Sequence, residues 1–223
     1  MKKTGYLLLL LSSVIFTQAQ DKKPDFWDDI QKFKQEDSLS KPAPNQIVFV
    51  GSSSFTKWKD VQDYFPAHKI INRGFGGSTL SDVIRYEKDI IFPYQPKQIV
   101  IYCGENDIAN DSKVTGKTVY RRFKTLFHDI RKQFPHVHLL YISMKPSPSR
   151  WQLRDKMIDG NRRIAKFLAR RRPSPPPVYL DVWNSMLGTD GNPMPGIYIE
   201  DNLHMNAKGY HIWQKLLEPY LLK

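Results

Sequence analysis

Gln46-Ile47-Val48-Phe49-Val50-Gly51-Ser52-Ser53-Ser54 is the stretch on which the reading of this chain turns. Its opening run is apolar and β-branched without alternation, the composition of a strand buried on both faces. Gly51 and three serines then stop it abruptly. Residues 69–72, 98–102, 138–142 and 178–181 repeat the pattern. Longer helical patterns separate these runs. Residues 81–91 carry Val83, Ile84, Ile90 and Ile91, and residues 118–134 align Val119, Phe123, Leu126, Phe127, Ile130 and Phe134 on one stripe. Residues 157–168 and 207–217 follow suit, with Asn206 placed to cap the last helix. Strands alternating with helices predict parallel pairing and right-handed crossovers. The expectation is one doubly wound α/β domain with helices on both faces of the sheet.

Upstream, Phe26, Trp27, Ile30 and Phe33 recur at helical spacing, and Lys41-Pro42-Ala43-Pro44-Asn45 breaks the pattern. Residues 20–45 therefore read as an N-terminal helix and linker ahead of a domain over 46–223. Residues 1–19 read as a signal peptide: Lys2 and Lys3, an apolar run from Tyr6 to Phe16, then small residues at Thr17-Gln18-Ala19. That run is short for a membrane span, so an exported protein, periplasmic or secreted, without an integral span is expected. At 223 residues the chain suits one well-buried domain. Its only cysteine, Cys103, reads as a small buried hydrophobe, so no disulfide supports the core.

The formal charge is +12, and +10 without the leader. Arg121, Arg122, Arg162, Arg163, Arg170, Arg171 and Arg172 cluster on two helical segments. A solvated helix face explains them; no nucleic-acid reader motif accompanies them, and no nucleic-acid partner is expected. His136 and His138 lack a third ligand, so no metal is expected. The glycine loop at 74–77 lacks nucleotide-binding spacing, so no cofactor is expected.

Sites in an open parallel sheet form beyond the carboxyl ends of the strands. Ser52, Ser53 and Ser54 follow the first strand, residues 72–78 the second, and Gly104-Glu105-Asn106-Asp107 the third. Asp201-Asn202-Leu203-His204 precedes the last helix. A serine nucleophile needs a base, which neutral histidine supplies, and an acid one turn away can accept the imidazole Nδ1–H. Glycine lets a backbone N–H approach an oxyanion, and an asparagine amide adds an uncharged donor. The bland readings stay open on the residues alone. The serines also fit a helix cap, Asn106 an ordinary turn, and Ser53 is not separable from Ser54.

In order and spacing, the four blocks resemble the SGNH hydrolases, also called the GDSL esterase/lipase family, over about residues 46–220. The resemblance implies a three-layer α/β/α, flavodoxin-like fold with a five-stranded parallel sheet. It implies Ser53 as nucleophile, His204 as base and Asp201 as the third triad member. The oxyanion donors it implies are Ser53 and Gly77 through their N–H groups and Asn106 through its side chain. Ser52 departs from the family's aspartate at that position. Residues 145–151 look like a loop of exported bacterial members, where Trp151 would stack a sugar or line an acyl pocket if it is not simply packed. The resemblance leads to a serine esterase for short-chain, acetyl-type oxygen esters, with a small-molecule or carbohydrate substrate. The alternatives are a lysophospholipase, thioesterase or platelet-activating-factor acetylhydrolase-like enzyme, or a carbohydrate-binding protein without turnover.

Overall fold

A computed structural model describes residues 23–172 and 174–223. The leader reading of residues 1–19 lies outside them. Five strands, β1 (Ile47–Gly51), β2 (Ile70–Gly74), β3 (Gln98–Tyr102), β4 (His138–Ile142) and β5 (Val178–Leu180), form one sheet in the order β2-β1-β3-β4-β5. Every pairing is parallel. The helices are α1 (Trp27–Leu39), α2 (Ser53–Thr56), α3 (Val61–Tyr64), α4 (Leu80–Ile90), α5 (Glu105–Asn110), α6 (Gly116–Gln133), α7 (Arg154–Ala169) and α8 (Ala207–Leu217). Helices on both faces complete the three-layer α/β/α arrangement.

Strand side chains alternate between two cores. Val48, Val50, Ile99 and Ile101 point to the side of α4, α6 and α7, with Phe123, Leu126 and Ile164. Ile47, Phe49, Val100 and Tyr102 point to the side of α2, α3 and α8, with Phe55, Trp58 and Trp213. Because both faces are covered, β1 and β3 are buried at every position. That is the physical origin of the uninterrupted apolar runs.

Helix starts follow capping chemistry. Thr79 and Asp82 form a capping box on α4, Thr115 and Thr118 one on α6, and the Asn206 side chain accepts from the Lys208 and Gly209 N–H groups of α8. The sequence pattern places α7 from residue 157, whereas it starts at Arg154. A 3-10 turn, Pro148–Leu153, feeds it and adds a polar first turn that carries no apolar signal. Strand β2 runs on to Gly74, past the expected end at residue 72. Among the described residues, no helix is long and apolar enough to cross a membrane.

Candidate active site

The strand order reverses between β1 and β3, and the crevice at their carboxyl ends is where an open sheet offers a site. Gly51 ends β1 there with φ +144°, and a Cβ at this position would lie 1.9 Å from the Tyr102 carbonyl oxygen. Only glycine lets the chain turn this tightly against β3. The Ser52 N–H then donates to Tyr102 O at 3.0 Å, and Ser53 opens α2. Ser52 occupies the cap position of that helix, yet its side chain makes no capping hydrogen bond. The cap reading of the serines therefore does not describe them.

The three hydroxyls separate by environment. Ser53 Oγ lies 2.8 Å from His204 Nε2. Ser54 is buried, with its carbonyl accepting from the Tyr210 hydroxyl at 2.9 Å. Ser52 Oγ accepts from Asn106 Nδ2 at 2.7 Å. On the far side of the imidazole, Nδ1 is 2.5 Å from Asp201 Oδ2. Asp201 Oδ1 also accepts from the Leu203 and His204 N–H groups, which locks carboxylate and ring into one turn. Asn202 adopts φ +54° within this turn, and Ser149 N–H binds its carbonyl at 3.1 Å. Partial burial opposes ionisation of Asp201, but hydrogen bonds from the His204 ring and from the two N–H groups prevail. They hold the carboxyl at about 2.

The glycine loop stands beside the serine. A Cβ on Gly76 would sit 3.8 Å from Ser53 Cβ. Gly77 has φ +87°, a left-handed conformation suited to glycine, and its Cα side faces the Phe26 ring. Its N–H donates to no backbone acceptor among the described residues.

Asn106 is buried, and its geometry differs from the expected free donor. Nδ2 carries two hydrogens, and both are engaged: one with Ser52 Oγ, one with Ser78 O at 2.9 Å. Its Oδ1 accepts from Arg150 Nη2 at 2.7 Å. Asp107 serves the fold, its buried carboxylate binding the Leu80 N–H and Arg122. Burial raises the Asp107 carboxyl against the pull of Arg122.

Trp151 requires a correction. Its ring does not line the Ser53 cleft but stacks on Trp183, with centroids 6.0 Å apart, and Arg154 covers it. The indole gains more from two flat partners than from a small polar cleft. Residue pattern alone missed three charged groups there: Glu105, Lys145 and Arg150. Glu105 accepts from the Tyr102 hydroxyl and pairs with Lys145 at 3.4 Å and Arg150 at 3.2 Å. The Lys145 side chain is 1 % exposed. Burial lowers its pKa, although Glu105 pulls it upward. A lysine directly after a buried strand with no acid nearby in sequence was the available signal.

Together these groups surround a small cleft lined by Ser52, Ser53, Asn106, Lys145, Arg150 and His204 among others. No group of three or more His, Cys, Asp or Glu side chains placed to hold a metal occurs among the described residues.

The sequence profile of the GDSL-like Lipase/Acylhydrolase family matches residues 40–212. No curated protein sequence matches the chain. Among solved structures, a Streptococcus pneumonia protein provisionally named a platelet activating factor is similar at TM-score 0.75 and 20 % identity, over 87 % of this chain and 92 % of that one. A GDSL-like lipase from Bacteroides thetaiotaomicron VPI-5482 is similar at TM-score 0.71 and 20 % identity, over 86 % and 96 %. A carbohydrate esterase family 3 protein from Talaromyces cellulolyticus is similar at TM-score 0.59 and 14 % identity, over 79 % and 95 %. At these identities the likeness is one of fold.

Proposed function

The chain belongs to the GDSL-like lipase/acylhydrolase family, hydrolases acting on ester bonds, and on that premise we propose a serine esterase working through an acyl-enzyme. The observation that carries the reading is the hydrogen-bonded line Ser53 Oγ, His204 Nε2, His204 Nδ1, Asp201 Oδ2, which joins residues 151 positions apart. In this reading Ser53 Oγ attacks the ester carbonyl while its proton passes to His204 Nε2. Asp201 holds the imidazole with Nδ1–H toward itself and stabilises the imidazolium. The imidazolium then protonates the leaving alcohol, and a water activated by the same ring releases the acid. Backbone N–H groups of Ser53 and Gly77 and the Asn106 side of the cleft face the oxyanion.

A short acyl group, such as acetyl, suits the site. The cleft is small, and its lining mixes hydroxyl, amide and charged groups with only Tyr102, Cys103 and Leu203 as larger apolar contributors, whereas a long acyl chain needs an extended apolar wall. The likeness in fold to a carbohydrate esterase makes an acetylated carbohydrate a fitting alcohol portion. With residues 1–19 read as a leader, the hydrolase domain over 46–223 acts outside the cytoplasm, on a small-molecule or carbohydrate ester.

The test is Ser53→Ala assayed on chromogenic acetyl to octanoyl esters, beside labelling by a fluorophosphonate probe. The expected outcome is a fall in kcat of about 10⁴- to 10⁶-fold, no labelling, and fastest wild-type turnover on the shortest chain. Undiminished hydrolysis by the variant would remove Ser53 as nucleophile. Fastest turnover on octanoyl ester would remove the short-acyl reading. A folded wild type that neither labels nor hydrolyses would favour the binding protein.

A further inference from the structure

We propose that Phe26, at the start of the N-terminal helix, is a positioning residue whose ring backs Gly77 and fixes the direction of its N–H. The inference rests on the reading in which Ser53 is the nucleophile and Gly77 an oxyanion donor. It adds what holds that donor still. Phe26 lies ahead of residues 40–212, over which the family profile matches, so the match gives it no role.

The flanks of the glycine loop are tied down and its tip is not. Phe75 N–H donates to Gly51 O at 2.9 Å, and Ser78 Oγ donates to the same oxygen at 3.2 Å. Gly76 and Gly77 between them are exposed, and neither N–H donates to a backbone acceptor among the described residues. Glycine has more conformational freedom to lose than any other residue. An oxyanion donor accelerates the reaction only if it is aimed before the charge develops. A loop tip of two glycines therefore needs a restraint from outside. Gly77 holds φ +87°, and a Cβ there would find Phe26 Cε1 at 3.7 Å and Cζ at 3.9 Å. Chain neighbours aside, no other heavy atom among the described residues comes within 4 Å of that point. The phenyl ring is the surface against which this face of Gly77 rests.

Phe26 is itself held. It takes φ +65°, a left-handed conformation that a bulky residue keeps only where its surroundings impose it. The Tyr86 hydroxyl donates to Asp25 O at 2.8 Å, and Ile30 N–H to Phe26 O at 3.1 Å. The Phe26 ring meets Phe75 edge-on, with centroids 5.3 Å apart. Ile30 is buried in the core, and at the far end of α1 Asp37 accepts from the Tyr94 hydroxyl at 2.5 Å and pairs with Arg73. With α1 pinned at both ends, the ring is delivered to the loop as a fixed stop.

The experiment compares Phe26→Ala, Phe26→Tyr, Gly77→Ala, the Phe26→Ala/Gly77→Ala pair and Phe92→Ala, in the full chain, on a chromogenic acetyl ester. It resolves kcat from KM and records thermal melting for each variant. Phe92 is the control, an aromatic packed edge-on against Phe134 at the opposite rim of the sheet. Removing an oxyanion donor outright costs about 10²- to 10³-fold, and loosening one costs less. Phe26→Ala should lower kcat about 10- to 30-fold and change KM less than about threefold. Phe26→Tyr keeps the ring and most of the rate. Phe92→Ala keeps wild-type kcat whatever it costs in melting temperature. Gly77→Ala is slow because φ +87° strains a side chain. Adding Phe26→Ala to it costs less than about threefold more, because both act on one donor. Wild-type kcat in Phe26→Ala or in Gly77→Ala would overturn the proposal. So would a rise in KM alone, an equal loss in Phe92→Ala, or losses that multiply in the pair. If Ser53→Ala is inactive while Phe26→Ala is intact, only the role of Phe26 fails. If Ser53→Ala is active, the nucleophile reading fails, whatever Phe26 does.

Discussion

On the histidine side of the Ser53 cleft, Asp201 and His204 lie three residues apart in one exposed turn, tied by backbone N–H groups to the same carboxylate. On the asparagine side, Glu105 and Asn106 open α5 while Lys145 and Arg150 come from the segment between β4 and α7, and Glu105 pairs with both cations as Arg150 reaches Asn106. The Asp201 side chain is 40 % exposed and Lys145 1 %. The contrast shows where tertiary structure is indispensable. A local turn orients its own side chains, while a buried cation is tolerable only when the fold delivers an anion to it. The histidine wall should therefore tolerate chemical change at less cost to the fold than the asparagine wall.

The sharpest way to break this contrast is Glu105→Ala. It leaves Lys145 buried and without its carboxylate, and should destabilise the protein by about 3–5 kcal/mol in urea or thermal unfolding. Because burial already lowers the Lys145 pKa, the variant sheds that charge more readily as pH rises, so the deficit should shrink in alkaline buffer. Stability equal to wild type would mean the buried charges do not depend on one another.

Asp201→Asn probes the other wall. The amide keeps the Oδ1 acceptor for both N–H groups but presents a donor toward His204 Nδ1, favouring the wrong tautomer. The expected loss is about 10²-fold in kcat, below the roughly 10⁴-fold of a buried triad aspartate because water reaches this carboxylate. The melting temperature should move little. A large fall in stability would place Asp201 with the buried wall.

The smallest effect concerns pH. The Asp201 carboxyl lies at about 2, below the unfolded-chain value near about 3.9. Its ionised form is the one favoured in the fold, so its contribution is present above the unfolded pKa and fades as pH falls toward 2. Carboxyl carbon NMR should find that midpoint in the wild type and an upward shift in His204→Ala. An unshifted midpoint would mean that the ring is not what holds the carboxylate.

The legibility of the molecule follows the same division. The two-sided burial of β1 and β3, the stripe on α6 and the Asn206 cap were legible because each depends on neighbours within a few residues. The Asp201–His204 pair was legible for the same reason. Trp151 was not: its partner Trp183 is distant in sequence, and an aromatic reads alike whether it faces a cleft or another ring. Arg150 was passed over because nothing beside it in sequence shows that it reaches Asn106.

Taken alone, the sequence determined a parallel α/β sheet with serine, glycine, asparagine and histidine blocks at its carboxyl rim, because strand burial, helix periodicity and capping are short-range properties. The family resemblance already implied Ser53 among three adjacent serines; only the tertiary structure decided that Ser52 faces Asn106 and how Glu105 balances the buried Lys145 and the half-buried Arg150. Those outcomes depend on side-chain directions across the β1–β3 crevice. There, groups far apart in sequence satisfy one another's charges and hydrogen bonds out of reach of water.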